Sequence, residues 1–565
     1  MIAHGILAVF GARDGAHIAA AAARHGLVAH AMATETVFAG PALRIARSAN
    51  MLVIGDEFAF PGESERQWGS YLRFSFSKDR VHRIERAPLT GIPLYWTRWC
   101  GGLLCFSHPE LIDGLPIDLA VDWDFVRHSL AYRNFRTERT GIRGISELLP
   151  GVALTAGENG PVTAPFWLPW SVAAAAADVS MEEAAARVED ITLGCVDRWS
   201  EGPDNVLLEL SGGLDSSIVA MSLAACGRPF TGVTAVTATA DGDERRYARD
   251  VARQSSMKLV EAQVDEAAID LLAAPARLTA RPAAAAILAG FDRAIAATAT
   301  ALGKAQLWSG IGGDNVFGFS HSVSPAIDAW RAKGLRAPLF QLLGDIAAVA
   351  STTRWHAARA LARRLRPGTS RPPWPRDDIF ANRAALPSQP FLHPWHEQAA
   401  RFPPGKRQHV EALLRIADFV DRPDRWHDRR VVAPLLSQPL VETCLAIPSW
   451  LWVEGGRDRA VARAAFARRL PASVLYRRTK GRLEAMCAST FLRERKRLAP
   501  YLLDGRIAAQ GLLDRGAIER YFARGGIDSE FAYFRLIEIA DLERWVRSVE
   551  AVSHGAASSS AQFAY

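Results

Sequence analysis

The sequence predicts an α/β protein: a parallel-sheet domain with a helical C-terminal part, preceded by a β-rich α+β domain. Three observations carry this. Short apolar runs broken by Gly, Asp and Pro turns fill the chain to about Trp170, and strands alternate with amphipathic helices from about Ser180. One of those strands ends in the glycine turn Ser211-Gly212-Gly213-Leu214-Asp215-Ser216-Ser217. Alternation of strand and helix gives a parallel sheet whose ligands gather at the carboxyl ends of its strands.

In residues 1–170 the pattern predicts strands at Ile6–Phe10, Ala46–Ile54, Tyr71–Phe76, Leu94–Trp99 and Gly102–Ser107, with helices only at Ala16–Arg24 and Asp122–Ala131. Residues 180–552 open on an amphipathic helix, Met181–Trp199. Strands follow at Asn205–Leu210, Phe230–Ala238, Lys258–Gln263 and Ala305–Ser309, and helices at Asp243–Ser255 and Asp265–Ala274. From about 364 to 404 the chain is rich in Pro and Arg, with Arg371-Pro372-Pro373-Trp374-Pro375 at its centre, so it cannot be a regular helix. It reads either as an insertion over the site, part of a substrate tunnel, or as an inert surface excursion. Helices resume to about Val552, and the small-residue tail 553–565 is expected to be disordered.

The 565 residues have length for two or more domains with real cores. A net charge of +7 comes from scattered arginines, with no basic stripe or nucleic-acid module, which argues against nucleic-acid binding. Six cysteines (Cys100, Cys105, Cys195, Cys226, Cys444, Cys487) lack C-x-x-C spacing, against a zinc site or disulfide framework. Arg13 and Asp14 interrupt the first apolar run and no segment approaches the length of a membrane span, so a cytoplasmic protein is expected.

The apolar run Val206-Leu207-Leu208-Glu209-Leu210 leads into the glycine turn, and Ile218-Val219-Ala220-Met221 continues as helix. The free N–H groups and dipole of a helix start favour an anion, and two glycines let a phosphate approach the backbone. Asp215 in such a loop would repel phosphate unless a divalent cation bridges them, so the motif implies Mg²⁺ with a nucleotide. An ordinary capped turn is the alternative for a lone Gly-Gly.

Ser-Gly-Gly-Leu-Asp-Ser-Ser resembles the pyrophosphate-binding loop of the ATP pyrophosphatases, and its flanks resemble the synthetase domain of the asparagine synthetase family. The Gly-Lys-Ser/Thr ending of the other phosphate loop is absent. The resemblance implies cleavage of ATP between its α and β phosphates, with Leu210, Ser211, Gly212, Gly213, Asp215 and Ser216 at the nucleotide. A second strand end, Leu307-Trp308-Ser309-Gly310-Ile311-Gly312-Gly313-Asp314, is similar to the family's Ser-Gly-x-Gly-x-Asp pattern. It implies Ser309 and Gly310 on the nucleotide and Asp314 beside Asp215 on Mg²⁺; the family's following Glu is Asn315 here. By resemblance Val236 borders the adenine. Asp243-Glu244 resembles the family's helix opening, though helix capping is the better account of that pair.

Arg478-Thr479-Lys480-Gly481 is similar to the family's motif ending in Arg-x-Lys, which implies that Lys480 stabilises charge on the activated acyl phosphate. Only seven lysines occur in the chain, which favours that reading over a solvated charge run. Arg459 stands where relatives carry a lysine near pyrophosphate, with a fork in place of an ammonium. Pro434-Leu435-Leu436-Ser437-Gln438-Pro439 resembles the lasso-peptide cyclases, relatives that close a macrolactam. Gly91-Ile92-Pro93-Leu94-Tyr95-Trp96, with the runs near Leu103 and Leu148, resembles the end of the family's glutaminase-like (Ntn-type) domain. That domain is read as degenerate, because residue 2 is Ile2 where glutamine-dependent relatives expose a cysteine. β-Lactam synthetases place a tyrosine where this chain has Ile311.

The resemblance therefore implies an adenylating amide ligase, foremost a lasso-peptide cyclase. Its partners would be a precursor peptide, a leader peptidase and a leader-binding protein. Ammonia-dependent asparagine synthesis, a β-lactam synthetase-like ligase, a tRNA-modifying pyrophosphatase and a nucleotide-binding scaffold are the rivals.

Overall fold

The computed structural model describes residues 2–562 apart from 12–14, 33–34, 78–79, 158–159, 175–178, 203–204, 239–241, 283–284, 367–373, 421–428, 479–480, 482 and 526–531. Two six-stranded antiparallel sheets occupy the first 165 residues. The first runs β10 (Ser146–Glu147), β8 (Tyr95–Trp99), β9 (Gly102–Phe106), β1 (Ile6–Phe10), β3 (Glu35–Ala39), β2 (Val28–Met32). The second runs β12 (Gly160–Pro165), β11 (Val152–Gly157), β7 (Arg80–Arg86), β6 (Glu63–Ser77), β5 (Met51–Phe60), β4 (Ile45–Ser48). Alternation fixes the layers. Ile6, Ala8 and Phe10 face Leu52, Ile54, Leu72 and Phe74 between the sheets, while Leu7 faces Ile18, Ala21 and Ala22 of the helix Gly15–Arg24.

The third sheet is parallel and five-stranded: β15 (Lys258–Gln263), β14 (Phe230–Val236), β13 (Val206–Glu209), β16 (Gln306–Ser309), β17 (Arg430–Val432). The helix Met181–Trp199 leads into it from a capping box, in which Ser180 and Glu183 satisfy each other's backbone N–H groups. Trp199 at its end packs against Phe58 and Trp68 of the second sheet, ring centroids 5.0 and 5.7 Å away, and its indole N–H donates to Ser437 Oγ at 2.8 Å. No helix among the described residues is long and apolar enough to cross a membrane.

Several elements differ from expectation. Ala46–Ile54 is not one strand but the β4–β5 hairpin, closed by a two-residue turn at Ala49-Asn50 that pairs Ile45 with Ile54. Asp265–Ala274 forms turns: Asp270 accepts from the backbone N–H of Leu272 in an Asx turn that competes with helix, while Asp265 accepts from Ala268 N as a helix cap does, with no helix following. The tail from Ser553, expected to be disordered, continues the helix Ala532–Gln562. The segment 364–404, of which 367–373 lie outside the described residues, packs its described part on the N-terminal half and on the backbone at Leu512. Trp374 is buried and donates to Arg133 O at 2.9 Å, Asp377 pairs with Arg133 at 3.0 Å, and Trp395 O accepts from Trp170 at 2.7 Å. It clasps the N-terminal half.

Glu147 of β10 is wholly buried and meets the guanidinium groups of Arg86 (2.7 Å), Arg136 and Arg281. Burial alone would raise its pKa, but the charges of Arg136, Arg281 and Arg86 outweigh this and hold it at about 2. Because the folded pKa is depressed, this stabilisation is fully present above about pH 4.5 and is lost as pH falls toward about 2. Glu147→Gln would leave three guanidiniums without their shared counter-charge and should cost about 3–5 kcal/mol. Thermal unfolding should show a lower midpoint for the variant at pH 7, with the gap to wild type narrowing below pH 4.5. A constant gap would refute the assignment.

Candidate functional site

β13 and β16 are neighbours in register, Glu209 opposite Ser309, so their two outgoing loops emerge side by side at the carboxyl edge of the sheet. After β13, Leu210 is buried and donates the last rung to Val233 O at 2.8 Å. Gly212 takes φ +67, and Gly213 caps the helix Leu214–Ala225. Ser211 Oγ accepts from Gly213 N at 3.2 Å and lies 3.2 Å from Ser216 Oγ, while Ser217 Oγ donates to Gly213 O at 2.7 Å. These bonds fix the loop so that the first helical turn presents its N–H groups and positive dipole end.

Glycine is required at the contacts. A Cβ on Gly310 would come within 3 Å of Ser216 N, one on Gly212 would meet Tyr247 Cβ at 2.5 Å, and one on Gly313 would run into the Asp215 carboxylate. The β16 loop continues from the buried Ser309, whose Oγ accepts from Ile311 N at 3.2 Å, into the short helix Gly313–Val316 that carries Asp314. Val236 is buried at the same sheet edge, as the last residue of β14.

Asp215 and Asp314 converge, and the group between them is Arg459. Its Nη1 donates to Asp215 Oδ1 and Oδ2 at 3.1 and 3.2 Å and to Asp314 Oδ1, and its Nη2 donates to Asp458 Oδ2 at 2.8 Å. Burial tends to lower the guanidinium's pKa, but Asp215, Asp314 and Asp458 together raise it. Asp458 in turn takes Arg463 at 2.7 Å, and Arg463 donates to Leu475 O at 2.7 Å. Two convergent carboxylates are a hard-oxygen donor set suited to a cation that completes its shell with phosphate and water.

Lys480 lies outside the described residues, but the residues around it are tied to the glycine loop. Arg477 donates to Gly212 O at 3.1 Å and to Glu244 Oε1 at 2.8 Å, lies over the Tyr247 ring at 3.8 Å, and Gly481 N donates to the same Glu244 oxygen at 3.0 Å. Sequence reasoning missed Arg477 and Asp458 and gave Asp243 and Glu244 a capping role; Asp243 Oδ1 accepts from Arg245 N at 3.0 Å, whereas Glu244 makes no side-chain cap and serves as a bridge. The arginine run before Lys480 was the available signal. Asn315, at the departure from the family pattern, donates to Ala412 O at 2.7 Å. Glu209, also missed, lines a small cavity with Ser309, Ile311 and Phe419.

The structure is an α/β fold whose parallel sheet carries two glycine loops at adjacent strand ends, with two carboxylates converging between them. A family model, asparagine synthase, matches residues 188–547, well over half of the chain, and the chain belongs to the asparagine synthase family. Members are ATP-dependent ligases that form carbon–nitrogen bonds, and this chain is an enzyme of that kind. No curated protein matches the chain.

Gly310→Ala tests the cradle. The added Cβ would press on backbone rather than a flexible side chain, so it should abolish ATP binding by titration calorimetry while circular dichroism keeps its helical signal. Affinity within about twofold of wild type would contradict the assignment.

Proposed function

We propose that the protein activates a carboxylate with ATP and closes an amide within one peptide, as a lasso-peptide cyclase does. What supports the adenylation is the convergence of Asp215 and Asp314 beside the helix start at Gly213, where a triphosphate would meet backbone N–H groups and carboxylates at once. Mg²⁺, held by Asp215 and Asp314, would neutralise the pyrophosphate charge. Ser211 and Ser216 orient the phosphates, Gly310 admits the nucleotide against the loop, and Lys480 offsets charge at the reacting centre. A substrate carboxylate attacks the α phosphate, pyrophosphate leaves, and an amine of the same substrate attacks the activated acyl group with loss of AMP. Holding both ends of one molecule together supplies much of the acceleration, on the order of 7–11 kcal/mol.

The side chains of the N-terminal half support an amine supplied by the substrate. Cys105 is buried and burial pushes its thiol far up, while Cys100 sits in the β8–β9 turn at φ +48. Ile311 stands in place of the tyrosine of β-lactam synthetases and lines a small cavity with Glu209. The N-terminal sandwich is then a degenerate glutaminase-like domain that has kept its packing role. The precursor peptide is the substrate, with a leader peptidase and a leader-binding protein as partners in the cytoplasm. The family match favours one second reading, ammonia-dependent asparagine synthesis.

Purified enzyme with a leader-free core peptide, ATP and Mg²⁺ should give a product lighter by one water together with AMP. Release of ADP would sink the mechanism, and asparagine made from aspartate and ammonium would select the second reading. Asp215→Ala and Lys480→Ala should each abolish turnover, and wild-type rates in either would refute the site.

A further inference from the structure

We infer that the Arg459 guanidinium is the resting occupant of the cation seat between Asp215 and Asp314. Free divalent metal is thereby kept out, and the cation enters only with the triphosphate. This rests on the reading that these two carboxylates face the nucleotide's cation.

One nitrogen, Nη1, spans both carboxylates, which is the bridging task a divalent ion would perform. The rest of the guanidinium is anchored from behind: Nε and Nη2 donate to Asp458 Oδ2 at 3.2 and 2.8 Å, and the Phe319 ring lies 5.4 Å from Cζ. The backbone of Arg459 is left-handed, at φ 53 and ψ 40, an unfavourable conformation for a residue with a Cβ. Its side chain repays that strain through the three carboxylates. Asp215 itself is confined, since its carboxylate lies directly over Gly313, so an exchange at the seat displaces the guanidinium rather than this carboxylate.

The order of binding follows from charge. A free metal ion would have to expel a largely buried guanidinium from its counter-charges with no new anion to receive it, which is costly. A triphosphate brings that anion with it, and the planar fork of arginine bonds phosphate oxygens well. Metal and arginine therefore exchange places only when nucleotide is present.

Binding of Mn²⁺ to the full chain, counted by electron paramagnetic resonance without turnover, tests this. Wild type and Asp215→Asn should bind Mn²⁺ alone equally weakly. Arg459→Met and Arg459→Gln should bind it at least about tenfold more tightly, the scale of one charge-assisted contact. Adding Asp215→Asn to either should return the weak binding. Tight Mn²⁺ binding by wild type that Asp215→Asn removes would overturn the inference without any Arg459 variant. So would equal affinity in wild type and Arg459→Met, or tight binding that survives Asp215→Asn. Absence of ATP–pyrophosphate exchange in wild type would instead count against the adenylation reading, a separate result.

Discussion

The site depends on the pairing of β13 with β16. Four rungs, from Val206 with Gln306 to Glu209 with Ser309, bring the two glycine loops out of the sheet together. Only then can Gly310 lie on the backbone of Ser216, and Asp314 face Asp215 across one guanidinium. A one-residue slip of either strand would invert its side chains between the two faces and separate the carboxylates. The buried residues Leu207, Leu208, Leu307 and Trp308 hold the register, because each has a packed layer waiting on its own side.

From that edge the contacts run as a circuit. Arg459 leans on Asp458, Asp458 holds Arg463, and Arg463 fixes the backbone at Leu475. Two residues further on, Arg477 returns to Gly212 O and to Glu244. The glycine loop after β13 and the segment leading to position 480 are thus positioned by one another. Residues far apart in sequence meet there through alternating charge, with each buried ion facing a partner of opposite sign.

Much of this was legible from residues whose behaviour is local. The amphipathic pattern of Met181–Trp199 announces a helix, the short apolar run Ile6–Phe10 bounded by turn residues announces a strand, and the apolar run before Ser-Gly-Gly-Leu-Asp announces a strand, glycine turn and helix. What stayed hidden depends on tertiary partners. β17 is three residues long and exists because β16 offers it an edge. The helical pattern at Asp265–Ala274 was interrupted where Asp270 bonds the backbone N–H of Leu272, and the Ala46–Ile54 run was folded in half by a turn without glycine. Arg477 looked like one more solvated arginine, and Arg459 like a phosphate ligand rather than a bridge between carboxylates. In a chain this rich in arginine, identity says little about which guanidinium is buried.

The arginine cluster on Glu147 has a consequence for how the chain can be divided. Arg86, Arg136 and Glu147 belong to the N-terminal half, whereas Arg281 reaches in from the loop after the parallel sheet's third strand in sequence. Trp199 likewise sits among Phe58 and Trp68, and Arg430 of the sheet's edge strand bonds Asp56 at 3.0 Å. The junction is built of core aromatics and deeply buried ions, not of the wet polar contacts that let domains drift apart. The synthetase half is therefore not a portable module. Severed near residue 170, it would bare a tryptophan and two guanidiniums cut to fit a neighbour, so the N-terminal sandwich serves it as a foundation.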